Sequence, residues 1–487
     1  MFFMDVGFKH GDRYNLSLYG EGYYALGYMN DPGSLDGIPI IFVPGNAGSE
    51  KQARSLGSVL QNKTELRGTH FKFNVFTIDF KEEFSAFSPS IIHRQIDYLV
   101  HAIRHVHGLY RDGRKIILYG HSIGGIVAQG ALTHKDIQDK VSLVIGLSTP
   151  FSEPPISLGL GMKKIWDDLY HKSDIPTISI DAGLLDLQIA PEWTNAPFVH
   201  HVSTNELDGV NLECDHQCIV WCNQLVRQNS RFLFDYAASM DFKNDFKAIF
   251  YKNFGPKSSD VLYHAEDELS LDSTIKSTIL YNKTIKRATK LPFSFYHHLF
   301  VYDINIEAKN ELKEVEFQTK YGFQKAVKNG NVFELRAGFF NSPKVDELPR
   351  LLIDVEKEKS EVIITYKVDV KYSLLKFCQK LRGYLMAAIF VWALSSPFWN
   401  SGKFWVINSI FVGSLMAVLK GLNQMDEIEF SALVMLSLIG ANIMSILASP
   451  LKLVFKYLSR YDTLTTPGYV DITFTLINPI IGVTLVC

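Results

Sequence analysis

Cysteine is scarce in this 487-residue chain: there are five, Cys214, Cys218, Cys222, Cys378 and Cys487. No two stand as Cys-x-x-Cys, so the spacing offers no structural zinc site and no disulfide-stapled scaffold. Cys214, Cys218 and Cys222 recur at every fourth position and read as small apolar side chains on one helix face, with a Cys214–Cys218 bridge as the minor alternative. An excess of charge is missing too. The 49 Lys and Arg nearly balance the 51 Asp and Glu, a formal net charge of -2, which gives no reason to expect nucleic acid as a partner. The start, Met1-Phe2-Phe3-Met4-Asp5, lacks the basic flank and sustained apolar core of a signal peptide. The length exceeds what one ordinary core organises, so two or more domains are expected.

What is present centres on Gly120-His121-Ser122-Ile123-Gly124. Lys115–Tyr119 before it reads as a short buried strand, and Ile126–His134 after it as an apolar helix. A strand that turns this sharply into a helix exposes its middle residue, and side chains at Gly120 and Gly124 would clash across the turn. Ser122 is thereby a candidate nucleophile above a helix N-terminus, which favours developing negative charge. Further apolar runs read as strands: Pro39–Val43, Phe73–Phe80, Val141–Leu147, Pro176–Ile180 and Phe198–Val202. Helical patterns at Lys51–Leu60 and Ile91–His105 alternate with them. The expected fold is α/β, a mostly parallel sheet covered on both faces.

A serine nucleophile needs a base, and the base an orienting acid. With this elbow the chain order is Ser, acid, His. After the strand Pro176–Ile180, Asp181 continues the strand directly and Asp186 lies in the loop beyond it. After the last strand, His216 precedes the helical Gln217–Arg227, whereas His200 and His201 lie within the strand. A loop histidine reaches over a sheet edge more readily than a strand histidine, which ranks His216 first without excluding the other two. The loop Pro44–Ser49, with Asn46 and Ala47, and the residue after the nucleophile, Ile123, are placed to supply the N–H groups of an oxyanion hole. No metal and no cofactor are expected.

Residues 225–260 read as helical, with an aromatic stripe. From about 291 to 372 the pattern becomes β. Ile364–Val370 alternates strictly, as a strand with one buried face does, and Phe295–Ile304, Val332–Ala337 and Leu351–Val355 are weaker candidates. A small β-sandwich over 261–375 is expected to follow a catalytic domain over 1–260. The stretches 384–399, 404–419, 430–451 and 469–487 are nearly free of charge, so 376–487 reads as about three to four transmembrane helices. The sequons at Asn15, Asn62 and Asn282 all precede these spans and favour a lumenal catalytic side. That orientation leaves Lys452, Lys456 and Arg460 cytosolic, as the positive-inside rule prefers, but places Lys376, Lys380 and Arg382 on the lumenal side against it.

Several motifs together resemble the GPI inositol-deacylase family, membrane-bound α/β-hydrolases of the endoplasmic reticulum. They are Phe42–Ser49, Asp79-Phe80 with Glu83–Phe87, Gly120–Gly125, Leu147–Pro150 and Asp215–Cys222. The resemblance implies an α/β-hydrolase fold and a Ser122, Asp186, His216 triad. It also implies hydrolysis of the acyl ester on the inositol of GPI anchors, with GPI-anchored proteins as clients. Two positions depart from the family pattern: Phe151 stands where a histidine is common, and Leu185 where an arginine usually precedes the acid. Two alternatives remain at this stage, a membrane-bound lipase or esterase for another lipid ester and a non-catalytic GPI-binding quality-control protein.

Overall fold

The computed structural model describes residues 2–255 except 32–34, 68–70, 156–159, 170–173 and 241–245. Beyond these it describes 266–268, 279–281, 287–290, 300–308, 312–318, 323–338, 350–355 and 360–380. The four nearly charge-free C-terminal stretches and the Asn282 sequon lie outside the described residues. Among those described, no helix is long and apolar enough to cross a membrane. The chain divides into two compact units, Met1–Asp369 and Val370–Cys487.

The first unit opens with β1 (Phe2–Asp5), β2 (Asn15–Gly20), α1 (Gly22–Asn30) and β3 (Ile38–Val43). There follow α2 (Arg54–Arg67), β4 (Phe73–Asp79), α3 (Pro89–Gly108), β5 (Ile116–His121) and α4 (Ile123–Ala131). Then come β6 (Val141–Leu147), β7 (Thr177–Asp181) and β8 (His200–Ser203). They form one eight-stranded sheet in the order β1-β2-β4-β3-β5-β6-β7-β8. From β4 to β8 every pairing is parallel; β1 and β2 join antiparallel at one edge. This is the α/β-hydrolase architecture.

The apolar runs of β3 and β5 are continuous because both faces are covered. Ile41, Val43 and Leu118 enter one core with α3 and α4. Ile40, Phe42, Ile117 and Tyr119 enter the other, with α2 and the helix Asn223–Met240. Each such side chain contributes about 2 kcal/mol by leaving water. The two cores fix β3 and β5 side by side, with Val43 opposite Gly120. The ends of these two strands therefore emerge together, and both candidate site loops start there.

The edge hairpin β1–β2 has no counterpart in the sequence reading, because β1 is four residues long and largely exposed. Further along, the described residues contain two five-stranded sheets between Glu266 and Val368. Ser360–Val368 pairs antiparallel with Val301–Ala308, Ile364 lying opposite Ile306. Within the same unit, Arg336 Nη1 reaches Glu213 Oε2 at 3.2 Å and ties this β region to the loop before His216.

Candidate active site

Ser122 joins β5 to α4 with φ 54° and ψ -128°. A non-glycine residue in the positive-φ region stores strain that the surroundings must hold, here through Ser122 N–H donating to Leu147 O at 2.8 Å. The turn has no room to spare. A Cβ on Gly124 would sit 2.1 Å from Val43 O, and one on Gly45 would sit 2.7 Å from Ser122 Cβ. Gly124→Ala is therefore expected to destabilise the fold by about 3 kcal/mol, because the obstacle is backbone rather than a movable side chain. Thermal unfolding measures it, and an unchanged midpoint would contradict the close approach of β3 to the elbow.

The structure sorts the acid and base candidates into two separate pairs. His216 Nδ1 lies 2.8 Å from Asp186 Oδ2, and both side chains are buried. Asp186 Oδ1 accepts from Gln188 N–H and Ile189 N–H, each at 2.9 Å, so the carboxylate is fixed by its own loop. The other pair is Asp181 with His201, whose Nε2 lies 2.9 Å from Asp181 Oδ2 and 3.0 Å from Thr194 Oγ1. Asp181 Oδ1 accepts from Gly183 N–H and Ser203 Oγ, both at 2.7 Å. That pair locks β7 to β8. His200 packs between Phe246 and Phe250, ring centroids 4.9 and 5.2 Å away.

The first pair is tied to the elbow. His121, the residue before Ser122, places Nε2 2.8 Å from the main-chain O of His216, and the two rings are 4.8 Å apart. Burial, with the His216 ring beside it, pushes the His121 imidazole down to about 3, so it is neutral. His216 does not open a helix as the sequence suggests. Asp215 Oδ1 accepts from Gln217 N–H and Cys218 N–H at 2.9 and 2.7 Å, turning the chain into a single 3-10 turn, Cys218–Val220. The regular helix begins at Asn223. Cys214, Cys218 and Cys222 consequently share no regular helix face, and all three are free thiols.

The expected oxyanion donors also separate. Ile123 is the first residue of α4, so its N–H has no intrahelical acceptor. Asn46 N–H has no backbone acceptor among the described residues, and its Oδ1 accepts from Ala86 N–H at 2.9 Å. Ala47 requires a correction: with φ 50° its N–H donates to Glu83 O at 2.9 Å, so that amide is already committed. Glu83 in turn receives Arg13 and Arg94, each at 2.9 Å, and the Tyr14 hydroxyl. Burial opposes the Glu83 carboxylate, but the hydrogen bonds from Tyr14 and Arg94 outweigh it and hold its pKa below the usual range. Phe151 is fully buried, packed edge-on against Phe198 at 5.8 Å, and belongs to the core under β6. Leu185 is half-buried in the turn beside Asp186.

A metal centre has one candidate among the described residues, His10, Asp97 and His101. The two imidazoles are stacked with centroids 3.7 Å apart and planes at 13°. An imidazole binds a metal in its ring plane at about 2.0 Å, and two stacked, near-parallel rings cannot share one such ion. Those residues instead pin the N-terminal segment to α3, His10 Nε2 lying 3.0 Å from Asp97 Oδ2.

Residues 34–236 match the family described as "PGAP1-like alpha/beta domain". The protein named GPI inositol-deacylase in Drosophila melanogaster is 33% identical over 284 residues, 48% of this chain and 29% of that protein. Those of Rattus norvegicus and Kluyveromyces lactis are 33% and 32% identical over 47% and 45% of this chain, and 26% of each relative. The matched part thus spans less than a third of the curated relatives' length. Among solved structures, mature Bacillus licheniformis lipase BlEst2 aligns with 40% of this chain and 91% of its own at 17% identity and a TM-score of 0.32, too slight a likeness to argue from. Residues 34–236 are thus similar to a PGAP1-like alpha/beta domain, and nearly half of the chain is similar to proteins named GPI inositol-deacylase.

Proposed function

We propose that the chain is a serine esterase that removes the acyl group esterified to the inositol of GPI anchors. The observation that carries the chemistry is the strained elbow at Ser122, whose neighbour His121 is bonded to the main chain of a base already paired with Asp186. In the proposed reaction Ser122 Oγ attacks the ester carbonyl and His216 Nε2 takes its proton, while Asp186 holds Nδ1–H. Asn46 N–H and Ile123 N–H receive the oxyanion. The carbonyl re-forms, the inositol oxygen leaves with the proton from His216, and an acyl-Ser122 ester remains. Water, deprotonated by His216, then releases the fatty acid and restores Ser122.

The substrate class rests on the named relatives and on the surroundings of the site. Phe84 and Phe87 are 63% and 39% exposed on the segment that binds the Asn46 loop. Leu187, next to Asp186, is 53% exposed, and Trp221, at the end of the turn after His216, is 57% exposed. Large apolar side chains held in water on the segments that carry the oxyanion loop, the acid and the base suit a lipid ester. In the same reading, residues 261–375 form a β-sandwich beside the hydrolase domain. Residues 376–487 anchor both at the endoplasmic reticulum membrane, with the catalytic side lumenal. The test is expression in cells lacking inositol-deacylase. The chain, but not its Ser122→Ala variant, should restore release of surface GPI-anchored reporters by phosphatidylinositol-specific phospholipase C. No restoration by a well-expressed chain would overturn the substrate assignment.

A further inference from the structure

His121 lies next to the nucleophile, yet the proposed reaction gives it no task. It is 2% exposed, and a buried imidazole needs partners for both nitrogens. Nε2 faces the His216 carbonyl at 2.8 Å, and a carbonyl only accepts, so Nε2 carries the proton. Nδ1 is then an acceptor, and Gln52 Nε2 stands 3.4 Å from it. Gln52 Nε2 also lies 3.2 Å from Gln217 Oε1, on the residue after His216. A Cβ on Gly48, in the oxyanion loop, would meet Gln52 Oε1 at 2.8 Å. The side chains of Gln52 and His121 therefore grip residues 216 and 217 from the oxyanion side of the site. Asp186 fixes the His216 ring separately, through Nδ1.

We propose that His121 is a positioning residue, a neutral N–H donor that holds the catalytic base through its main-chain carbonyl so that His216 Nε2 meets Ser122. This rests on the esterase reading above. Asp186 sets the tautomer and tilt of the ring, while His121 sets where the ring is hung. A base displaced by an ångström loses about a hundredfold in rate even with its acid in place.

The test uses the full chain, a soluble nitrophenyl ester and a fluorophosphonate that titrates reactive Ser122. His121→Met fills the space without a donor; His121→Gln returns an N–H near the position of Nε2. The expected result is a fall of about 10- to 100-fold in kcat per titrated site for His121→Met, with KM within about twofold, and recovery of most of it in His121→Gln. Counting titrated sites removes any loss due to misfolding, which a purely structural role would produce. Unchanged kcat per site in His121→Met, or equal losses in both variants, would overturn the proposal. Nitrogen-15 spectra of histidine-labelled protein test it apart from turnover. His121 should appear as the Nε2–H tautomer and not titrate between pH 8 and 5, and a titrating His121 would overturn the proposal whatever the ester assay gives. A wild-type chain that neither hydrolyses the ester nor takes the fluorophosphonate would instead refute the esterase reading, with the spectra still deciding the His121 hydrogen bond.

Discussion

Ser122→Ala should lower kcat for ester hydrolysis by about four to six orders of magnitude and leave the fold intact. The substitution removes one hydroxyl from a position whose backbone is set by Leu147 O and by flanking glycines rather than by that hydroxyl. What survives is the background from the oxyanion donors and binding, the part a triad does not supply. The control is thermal unfolding: the midpoint should stay within a few degrees of wild type. Hydrolysis near the wild-type rate would remove Ser122 from the chemistry, and the elbow would then be only a tight strand-to-helix turn.

The next largest effect separates the two Asp–His pairs. Asp186→Asn should cost about 10⁴-fold in kcat, because an amide can donate to His216 Nδ1 and stabilise the wrong tautomer. Asp181→Asn should cost less than about tenfold in kcat but about 2 kcal/mol of stability, since an amide that keeps its oxygen toward Gly183 N–H and Ser203 Oγ must turn its NH2 to His201 Nε2 in a buried pair. The two variants therefore fail in different assays, one in turnover and one in unfolding. If Asp181→Asn is the one that stops turnover, the catalytic pair is Asp181–His201 and the role of the His216 loop must be rewritten.

The contrast between these pairs shows what a sequence can carry. The elbow and the six parallel strands are legible because their signals are local: glycines that a turn requires and apolar runs that only a doubly covered strand tolerates. At that level only its place in the loop, where a triad acid usually sits, sets Asp186 above Asp181, the last residue of β7, and both find a histidine. What supports the Asp186–His216 pair is the 2.8 Å contact between His121 and the His216 carbonyl, a meeting of residues 95 positions apart. The same limit hides the commitment of Ala47 N–H to Glu83 O, because a loop amide is free or bonded according to which distant segment lies against it. The helical reading of Gln217–Arg227 fails for a more local reason. The Asp215 carboxylate captures the amides of Gln217 and Cys218 and commits the first residues to a turn before a helix can start.

The bond between Arg336 and Glu213 bears on what counts as the unit that evolution could shuffle or an engineer could excise. Glu213 has a side chain only 10% exposed, and its other oxygen lies 3.4 Å from Leu184 N–H, on the loop that carries Asp186. Burial raises its pKa, and Arg336 is the charge that offsets the rise. Arg336 stands well outside residues 34–236, the stretch that matches the PGAP1-like alpha/beta domain. A fragment trimmed to that stretch would keep every residue of the proposed triad and lose the cation that opposes the rise in the Glu213 pKa and is bonded to the segment between acid and base. Kinship in sequence and self-sufficiency in electrostatics thus have different borders in this protein, and the second reaches into the β region.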